Sequence, residues 1–225
     1  MLWIVLLLLV IALLLLPSWW VRRVLRIHSW ERDDYPGTGG DMARHLLNKL
    51  GLESVGVEAT TMGDHYDPRD RMVRLSEDKL NGKSLTAVVV AAHEVGHAIQ
   101  HARGEGTFRT RTLMAYVAIW MQRIAPIALV VAPLLAFVTP IASRFSIIVA
   151  VSAMLIGTLV HLITLPVEWD ASFGKAMPLL KDGEYLDEDD MRNARKILTA
   201  EALTYVAGAL ISMLNVGRWW RYLRG

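Results

Sequence analysis

Two histidines and a glutamate stand close together in the stretch His93-Glu94-Val95-Gly96-His97. On a helix, residues four apart lie one turn apart on the same face, so both imidazoles can bind a single zinc ion. The glutamate between them can then act as general base toward a zinc-activated water. The spacing therefore predicts a zinc-dependent hydrolase with His93 and His97 as metal ligands and Glu94 as the catalytic base.

The flanking sequence favours a helix around this motif. The turn-forming stretch 81–84 ends in Ser84, a good N-cap residue, and no proline occurs from Leu85 to Gln100. Alanines and a run of valines fit a helix that is buried on most sides. We expect the helix to span residues 84–101, with Gly96 leaving room for the metal or another backbone to approach. The alternative is an ordinary buried helix with two incidental histidines.

A catalytic zinc ion takes a third protein ligand and keeps one position open for water. His101 lies one further turn along, but three successive turns of a straight helix do not readily surround a tetrahedral ion. We therefore expect His101 to be a polar residue near the helix end. Glu168, which follows a long apolar run, is the better candidate, and Asp170 can orient a ligand by hydrogen bonding. Alternatively, both carboxylates simply mark the solvated end of a membrane helix.

Long apolar runs predict three membrane spans, at residues 2–21, 124–142 and 145–165, each of about 20 residues and sufficient to cross a bilayer core. The first span is an N-terminal transmembrane anchor in residues 1–21. The arginines that follow it place the next segment in the cytoplasm and the N-terminus outside. The helical hairpin over 124–165 leaves the cytoplasm and returns to it, which puts Glu168 on the same side as the two histidines. A further apolar helix within 200–225 is either transmembrane or interfacial.

The remaining segments, residues 22–112 and 166–199, predict one small cytoplasmic domain. A helix capped by Asp41 and strands at 54–60 and 72–75 are expected there. His65 and Tyr66, in the polar segment between the strands, are candidates for stabilising the transition state, although a plain hairpin turn explains them equally well. A strand just before the motif helix can pair with an extended peptide substrate.

The amino-acid composition limits which kinds of partner and metal site the chain can have. The chain of 225 residues is 53% hydrophobic, carries a net charge of +2 and contains no cysteine. Thiolate metal sites and disulfides are thereby excluded, and the near balance of charge argues against nucleic acid. The expected partners are the lipid bilayer, a membrane protein or peptide substrate, and either a second copy of the chain or a regulatory membrane protein. The acidic run 182–190 predicts a solvated loop leading into a helix.

Four segments, taken in order, resemble the YugP-like membrane zinc metallopeptidases of bacteria. They lie at residues 64–76, 91–101, 165–172 and 199–210, and the resemblance extends from about Gly37 to about Leu210. It implies a membrane-embedded neutral zinc protease with His93 and His97 as ligands and Glu94 as base. More distant similarity to the HtpX-like membrane proteases implies Glu168 as third ligand. Ser172 stands where those enzymes carry an aspartate, and Asp170 is the candidate substitute.

The expected fold is a mostly α membrane protein with three to four transmembrane helices and a small α+β zincin-like cytoplasmic domain. The expected function is a zinc-dependent endopeptidase in the bacterial inner membrane, with its active site at the cytoplasmic face. The alternatives are a metal-dependent membrane hydrolase of a non-peptide substrate and a non-catalytic membrane scaffold or regulator. An edge strand at residues 71–76 beside the metal would favour the peptidase.

Overall fold

The computed structural model describes residues 2–204 and 206. The chain divides into two compact units, each formed by separate stretches of sequence. The first, called the apolar unit, comprises Met1–Ser18, Thr110–Leu165 and Tyr205–Gly225. The second, called the motif unit, comprises Trp19–Arg109 and Pro166–Thr204. Most of the predicted apolar helix at 200–225 lies outside the described residues.

Three helices contribute to the apolar unit: α1 (Leu2–Ile27), α5 (Gly106–Ala136) and α6 (Pro140–Trp169). By length and apolar composition, α5 is long enough to cross a membrane, and the fully described residues of α6 include a shorter apolar stretch, Pro140–Ala153. The prediction of three to four membrane spans remains a prediction. The turn between α5 and α6 falls at residues 137–139, earlier than the sequence indicated. Thr139 causes this, because its hydroxyl accepts a hydrogen bond from the Ala142 backbone N–H at 3.1 Å and thereby caps α6.

The motif unit holds the shorter helices. They are α2 (Gly39–Lys49), α3 (Glu77–Leu80), α4 (Leu85–Ala102), a π-helical segment (Asp170–Ala176), α7 (Met177–Asp182) and α8 (188–204). The predicted start of α2 at Asp41 is wrong. Thr38 is the N-cap, and Asp41 closes a capping box by accepting from the Thr38 backbone N–H.

Three short strands form the sheet: β1 (Gly56–Ala59), β2 (His65–Asp67) and β3 (Met72–Leu75). The order is β1-β3-β2, with β1 parallel and β2 antiparallel to β3. The strand predicted at 72–75 is therefore central, and the expectation of an edge strand at 71–76 is wrong. The edge beside β3 is β2, which lies in the segment that the sequence indicated as a polar turn.

Helix α4 is the centre of the motif unit, and every residue from Leu85 to Gln100 is buried. Ser84 caps it by accepting a hydrogen bond from the Ala87 backbone N–H at 3.1 Å. The bounds agree with the predicted helix to within one residue. Burial on all sides explains the run of three valines, because a helix enclosed by α2, the sheet and the π-helical segment needs no polar face.

The start of α8 is attached to the segment after α1 through Asp190. Both oxygens of this buried carboxylate accept from Arg32 Nη1, at 2.7 and 2.8 Å, and one also accepts from the Tyr35 hydroxyl at 2.7 Å. This end of the acidic run is therefore not solvated, contrary to the prediction. An aspartate in the first turns of α8 is also favoured by the helix dipole.

Candidate metal centre

Helix α4 places His93 and His97 one turn apart on one face. Their rings meet edge to face, with centroids 4.8 Å apart and planes at 82°. Both side chains are almost completely removed from solvent, at 2% and 1% exposure. Two imidazoles held this rigidly have few alternative orientations, so their nitrogens are fixed before any ligand arrives.

Glu168, at the end of α6, lies against both rings and is itself 1% exposed. Its Oε2 atom is 3.4 Å from His93 Nε2 and 3.1 Å from His97 Nε2. One ligand atom from each of the three residues lies within 4.8 Å of the others. Ligands bound tetrahedrally to zinc at 2.0–2.1 Å are separated by about 3.3 Å, so these two distances are compatible with one shared zinc ion.

The outer nitrogen of His93 is bonded to Ser172. The Ser172 hydroxyl oxygen lies 3.1 Å from His93 Nδ1 and 3.1 Å from the Leu198 carbonyl oxygen. When the hydroxyl donates to that carbonyl, it accepts from Nδ1–H, and Nε2 then carries the lone pair. Ser172 thus occupies the position for which the sequence offered Asp170 as a substitute.

The outer nitrogen of His97 is bonded to Gln100. Gln100 Oε1 lies 2.9 Å from His97 Nδ1, and its Nε2 donates to the Val167 carbonyl at 3.0 Å and to Asp170 Oδ2 at 2.8 Å. Asp170 therefore contacts the centre through the amide of Gln100. Hydrogen bonds of this kind fix the orientation of a metal-ligating imidazole.

These contacts test whether the residues fit a metal ion. In the tautomers in which both Nδ1 atoms donate outward, two imidazole lone pairs face one carboxylate oxygen inside a buried site. Packing acceptors against one another away from water is costly unless a cation lies between them. Two histidines and a carboxylate are also a ligand set of catalytic zinc sites. The donor set therefore fits zinc.

Gly96 allows α4 to approach the π-helical segment. A Cβ atom added at Gly96 would lie 2.7 Å from the Ala171 carbonyl oxygen and 3.3 Å from the Lys175 Cβ. Of the two interpretations of this glycine, the structure supports close approach of another backbone. The approach brings the segment that carries Asp170 and Ser172 to within hydrogen-bonding distance of the α4 side chains.

Ion pairs between a lysine and two carboxylates lie at the outer edge of the site. Lys175 Nζ contacts Asp170 Oδ2 at 2.8 Å and Glu105 Oε1 at 3.2 Å. Burial alone would raise the pKa of Asp170, but the hydrogen bonds from Lys175 and Gln100 outweigh it and lower that pKa. Burial alone would lower the pKa of Lys175, but its bonds to Asp170 and Glu105 outweigh it and raise that pKa. Both groups are therefore charged at neutral pH.

The remaining candidates lie at different positions. Glu94 is buried on α4 between the two histidines, at 4% exposure. The hydroxyl of Tyr66 lies 2.8 Å from His101 Nδ1, and burial raises the pKa of this tyrosine to about 12. His65 lies 2.7 Å from the Gly63 carbonyl and, one residue from Tyr66 in β2, projects from the opposite face of the sheet. His65 does not belong to the three-residue cluster found in the described chain, and the hydroxyl of Tyr66 bonds His101, which lies outside that cluster.

Sequence reasoning missed Gln100 and Lys175. Gln100 carried a signal, because an amide near the end of a largely apolar helix is costly to bury without partners. Its distance of three residues from His97 also places it on the same side of α4. Lys175 carried none, since its two carboxylate partners are brought together only by the fold.

Comparison with known proteins also indicates a zinc metallopeptidase. The chain is similar to the "Putative membrane protease YugP" of Bacillus subtilis (strain 168), with 38% identity over 183 residues, which cover 80% of this chain and 78% of the relative. No solved structure matches the chain. Residues 3–224 match the family described as "Putative neutral zinc metallopeptidase". Since this match includes both histidines and the glutamate of the cluster, and nearly all of the chain, the protein belongs to the neutral zinc metallopeptidase family.

Proposed function

We propose that this protein is a membrane-embedded, zinc-dependent endopeptidase. His93, His97 and Glu168 are the proposed ligands, and Glu94 is the proposed catalytic base. The observation that carries the proposal is the convergence of two imidazole nitrogens and a carboxylate oxygen, all buried, within 4.8 Å. Membership of the zinc metallopeptidase family supports the same chemistry.

Zinc held by His93, His97 and Glu168 would supply Lewis acidity toward a carbonyl group and a water molecule. The carboxylate of Glu94 would accept a proton from the attacking water and donate it to the leaving amine nitrogen. Glu94 suits this task because it lies within the motif and is buried, so bulk water does not compete for its proton. The hydrogen bonds to Ser172 and Gln100 keep both imidazoles oriented while the base works.

The proposed setting is the bacterial inner membrane, with the N-terminus outside and the site at the cytoplasmic face. The apolar length of α5 and the name of the curated relative, a membrane protease, support membrane association. Trp19 and Trp20 are exposed on α1, and the Arg23 guanidinium lies 5.2 Å from the ring centre of Trp19. Tryptophan with arginine is typical of the headgroup region. The proposed substrates are accordingly membrane proteins or peptides presented at the membrane surface.

Strand β2 is the proposed docking edge for an extended substrate. One side of β2 pairs with β3, and within the described residues no strand pairs with its other side. Tyr66 in β2 contacts His101, one turn beyond His97 on α4, so this edge runs beside the motif helix. A peptide that adds to a sheet edge is held by its backbone, which allows varied side chains at the cleavage point.

The test compares purified wild-type protein with Glu94→Gln on solubilised bacterial membrane proteins, with new N-termini read by mass spectrometry. Wild type should generate internal cleavages, and Glu94→Gln should generate them at least about 100-fold more slowly while keeping its zinc. Glu53→Gln, the same substitution at an exposed position of the motif unit, is the matched control and should cleave like wild type.

The other outcomes identify the alternatives. Zinc bound without any new N-terminus would indicate a hydrolase of a non-peptide substrate. Protein that binds no zinc would indicate a scaffold or regulator. In membranes of cells that carry Glu94→Gln, the substrates of a protease should accumulate relative to wild type.

A further inference from the structure

Gln100 makes three hydrogen bonds that join the two parts of the candidate metal centre. Its side chain is completely buried. It contacts His97 on its own helix, and it contacts the Val167 carbonyl and the Asp170 carboxylate on the other ligand-bearing stretch. Val167 is the residue immediately before Glu168, so a single amide connects one proposed ligand to the neighbour of another.

The orientation of this amide has only one solution. A carbonyl oxygen accepts hydrogen bonds and cannot donate, and an ionised carboxylate behaves in the same way. The two groups near Gln100 Nε2, the Val167 carbonyl and Asp170, are therefore both acceptors, and they use both N–H bonds of the amide. Rotating the amide by half a turn would place its oxygen against two acceptors in a buried site, which is strongly unfavourable.

This orientation dictates the position of a proton on His97. Gln100 Oε1 can only accept, so the Nδ1 atom that it contacts at 2.9 Å must carry hydrogen. A neutral imidazole with hydrogen on Nδ1 has its lone pair on Nε2. That is the nitrogen which lies 3.1 Å from Glu168 Oε2.

His93 is held less strictly. Its Nδ1 atom contacts a hydroxyl, and a hydroxyl can turn its hydrogen either toward the Leu198 carbonyl or toward the imidazole. Ser172 therefore permits both tautomers of His93, whereas Gln100 permits one tautomer of His97.

We infer that Gln100 is a positioning residue that fixes the proton of His97 on Nδ1 and so keeps Nε2 ready for zinc before the metal arrives. It acts through His97 and does not touch the reacting atoms. The inference rests on the proposed zinc site, but it does not depend on whether the substrate is a peptide.

The test reads the tautomer directly. Protein labelled with ¹⁵N-histidine is freed of metal in detergent micelles, and the ring nitrogens are observed by two-bond ¹⁵N–¹H correlation at a pH where the rings are neutral. The chain has seven histidines, so the His97 signals are assigned by their loss in His97→Asn. In the wild type, hydrogen should reside on Nδ1 of His97, and Gln100→Leu should shift it substantially toward Nε2.

Zinc binding gives the second measurement, with zinc ions alone and a competing chelator. Gln100→Leu should weaken zinc binding by about 10–100-fold, the usual effect of losing a partner of a ligating histidine. Ser172→Ala is the comparison variant, and it should leave the His97 signals unchanged. Wild-type His97 with hydrogen on Nε2, or a Gln100→Leu variant with unaltered His97 signals, would overturn the inference. So would a Ser172→Ala variant that shifts the His97 proton as far as Gln100→Leu does.

Neither measurement uses a peptide. If the protein proves to hydrolyse something else, the tautomer and the zinc affinity still report on Gln100. Loss of the proposed peptidase function is therefore distinguishable from failure of this inference.

Discussion

Gly96 is the position where the smallest change should disturb the centre most. In Gly96→Ala, the new Cβ atom would sit 2.7 Å from the Ala171 carbonyl oxygen, about 0.7 Å closer than ordinary van der Waals contact at 3.4 Å. The obstacle is backbone, so it cannot rotate away as a side chain would. Either α4 or the π-helical segment has to move.

Two effects of opposite sign determine how much Gly96→Ala changes the free energy of unfolding. Overpacking a close contact costs about 1–3 kcal/mol, and a backbone clash belongs in the upper part of this range. Alanine in a helix interior is favoured over glycine by about 1 kcal/mol. We therefore expect a net loss of about 1–2 kcal/mol in the free energy of unfolding of the metal-free protein. For a chain of this size, that loss lowers Tm by about 2–8 °C.

Zinc affinity should fall further than this stability loss alone suggests. Ala171 lies next to Ser172 and three residues after Glu168, so a shift of its carbonyl moves a proposed ligand and a partner of His93 together. Misplaced ligand geometry should weaken zinc binding by about tenfold or more. The assays are thermal unfolding followed by tryptophan fluorescence, and competition with a chelator.

Gly106→Ala is the matched control, because a Cβ atom added there meets no heavy atom within 4 Å. It should leave both Tm and zinc affinity near the wild-type values. A Gly96→Ala protein that is as stable as wild type and binds zinc equally well would refute the reasoning, since it would show that the close approach has no role in assembling the site.

Three further predictions concern single side chains. In Glu168→Ala, the affinity for zinc should fall by about 100-fold or more, nearly as far as in His97→Ala. The metal content after gel filtration measures this loss. His101→Ala should keep its zinc, because His101 bonds Tyr66 and lies outside the cluster; equal losses in His101→Ala and Glu168→Ala would contradict the proposed ligand set. Asp170→Asn should lower Tm at neutral pH. Because the folded pKa of Asp170 is lowered, its charge stabilises the fold above about pH 4, and this advantage is lost as the pH falls through the lowered pKa. The Tm difference from wild type should therefore shrink in acid, and a constant difference would contradict the role of the charge.

The sequence predicted the parts of the fold that depend on local pattern. Helix α4 follows from its cap and from a largely apolar run without proline, and strand β3 follows from alternation at its observed bounds. Strand β2 was missed because three residues in a polar segment carry no alternating signal, and only pairing with β3 defines them as a strand. The burial of Asp190 was missed because its partner Arg32 is 158 residues away in sequence.

The same division applies to the site. The pair of histidines follows from spacing on one helix, which is local. The partners of those histidines do not, because the contacts of Gln100 with Val167 and Asp170 span 67 and 70 residues. Sequence patterns describe one element at a time, whereas these contacts exist only where two elements meet.

The long separation between Glu168 and the two histidines also has a consequence for biosynthesis. A ribosome releases the motif helix well before it has synthesised the glutamate, and the Leu198 carbonyl that bonds Ser172 emerges later still. A growing chain that ends before residue 168 thus holds two histidines without the third group, and it cannot complete the centre. The proposed zinc site therefore assembles only after His93, His97 and Glu168 have all been synthesised, so any activity that it supports begins late in translation.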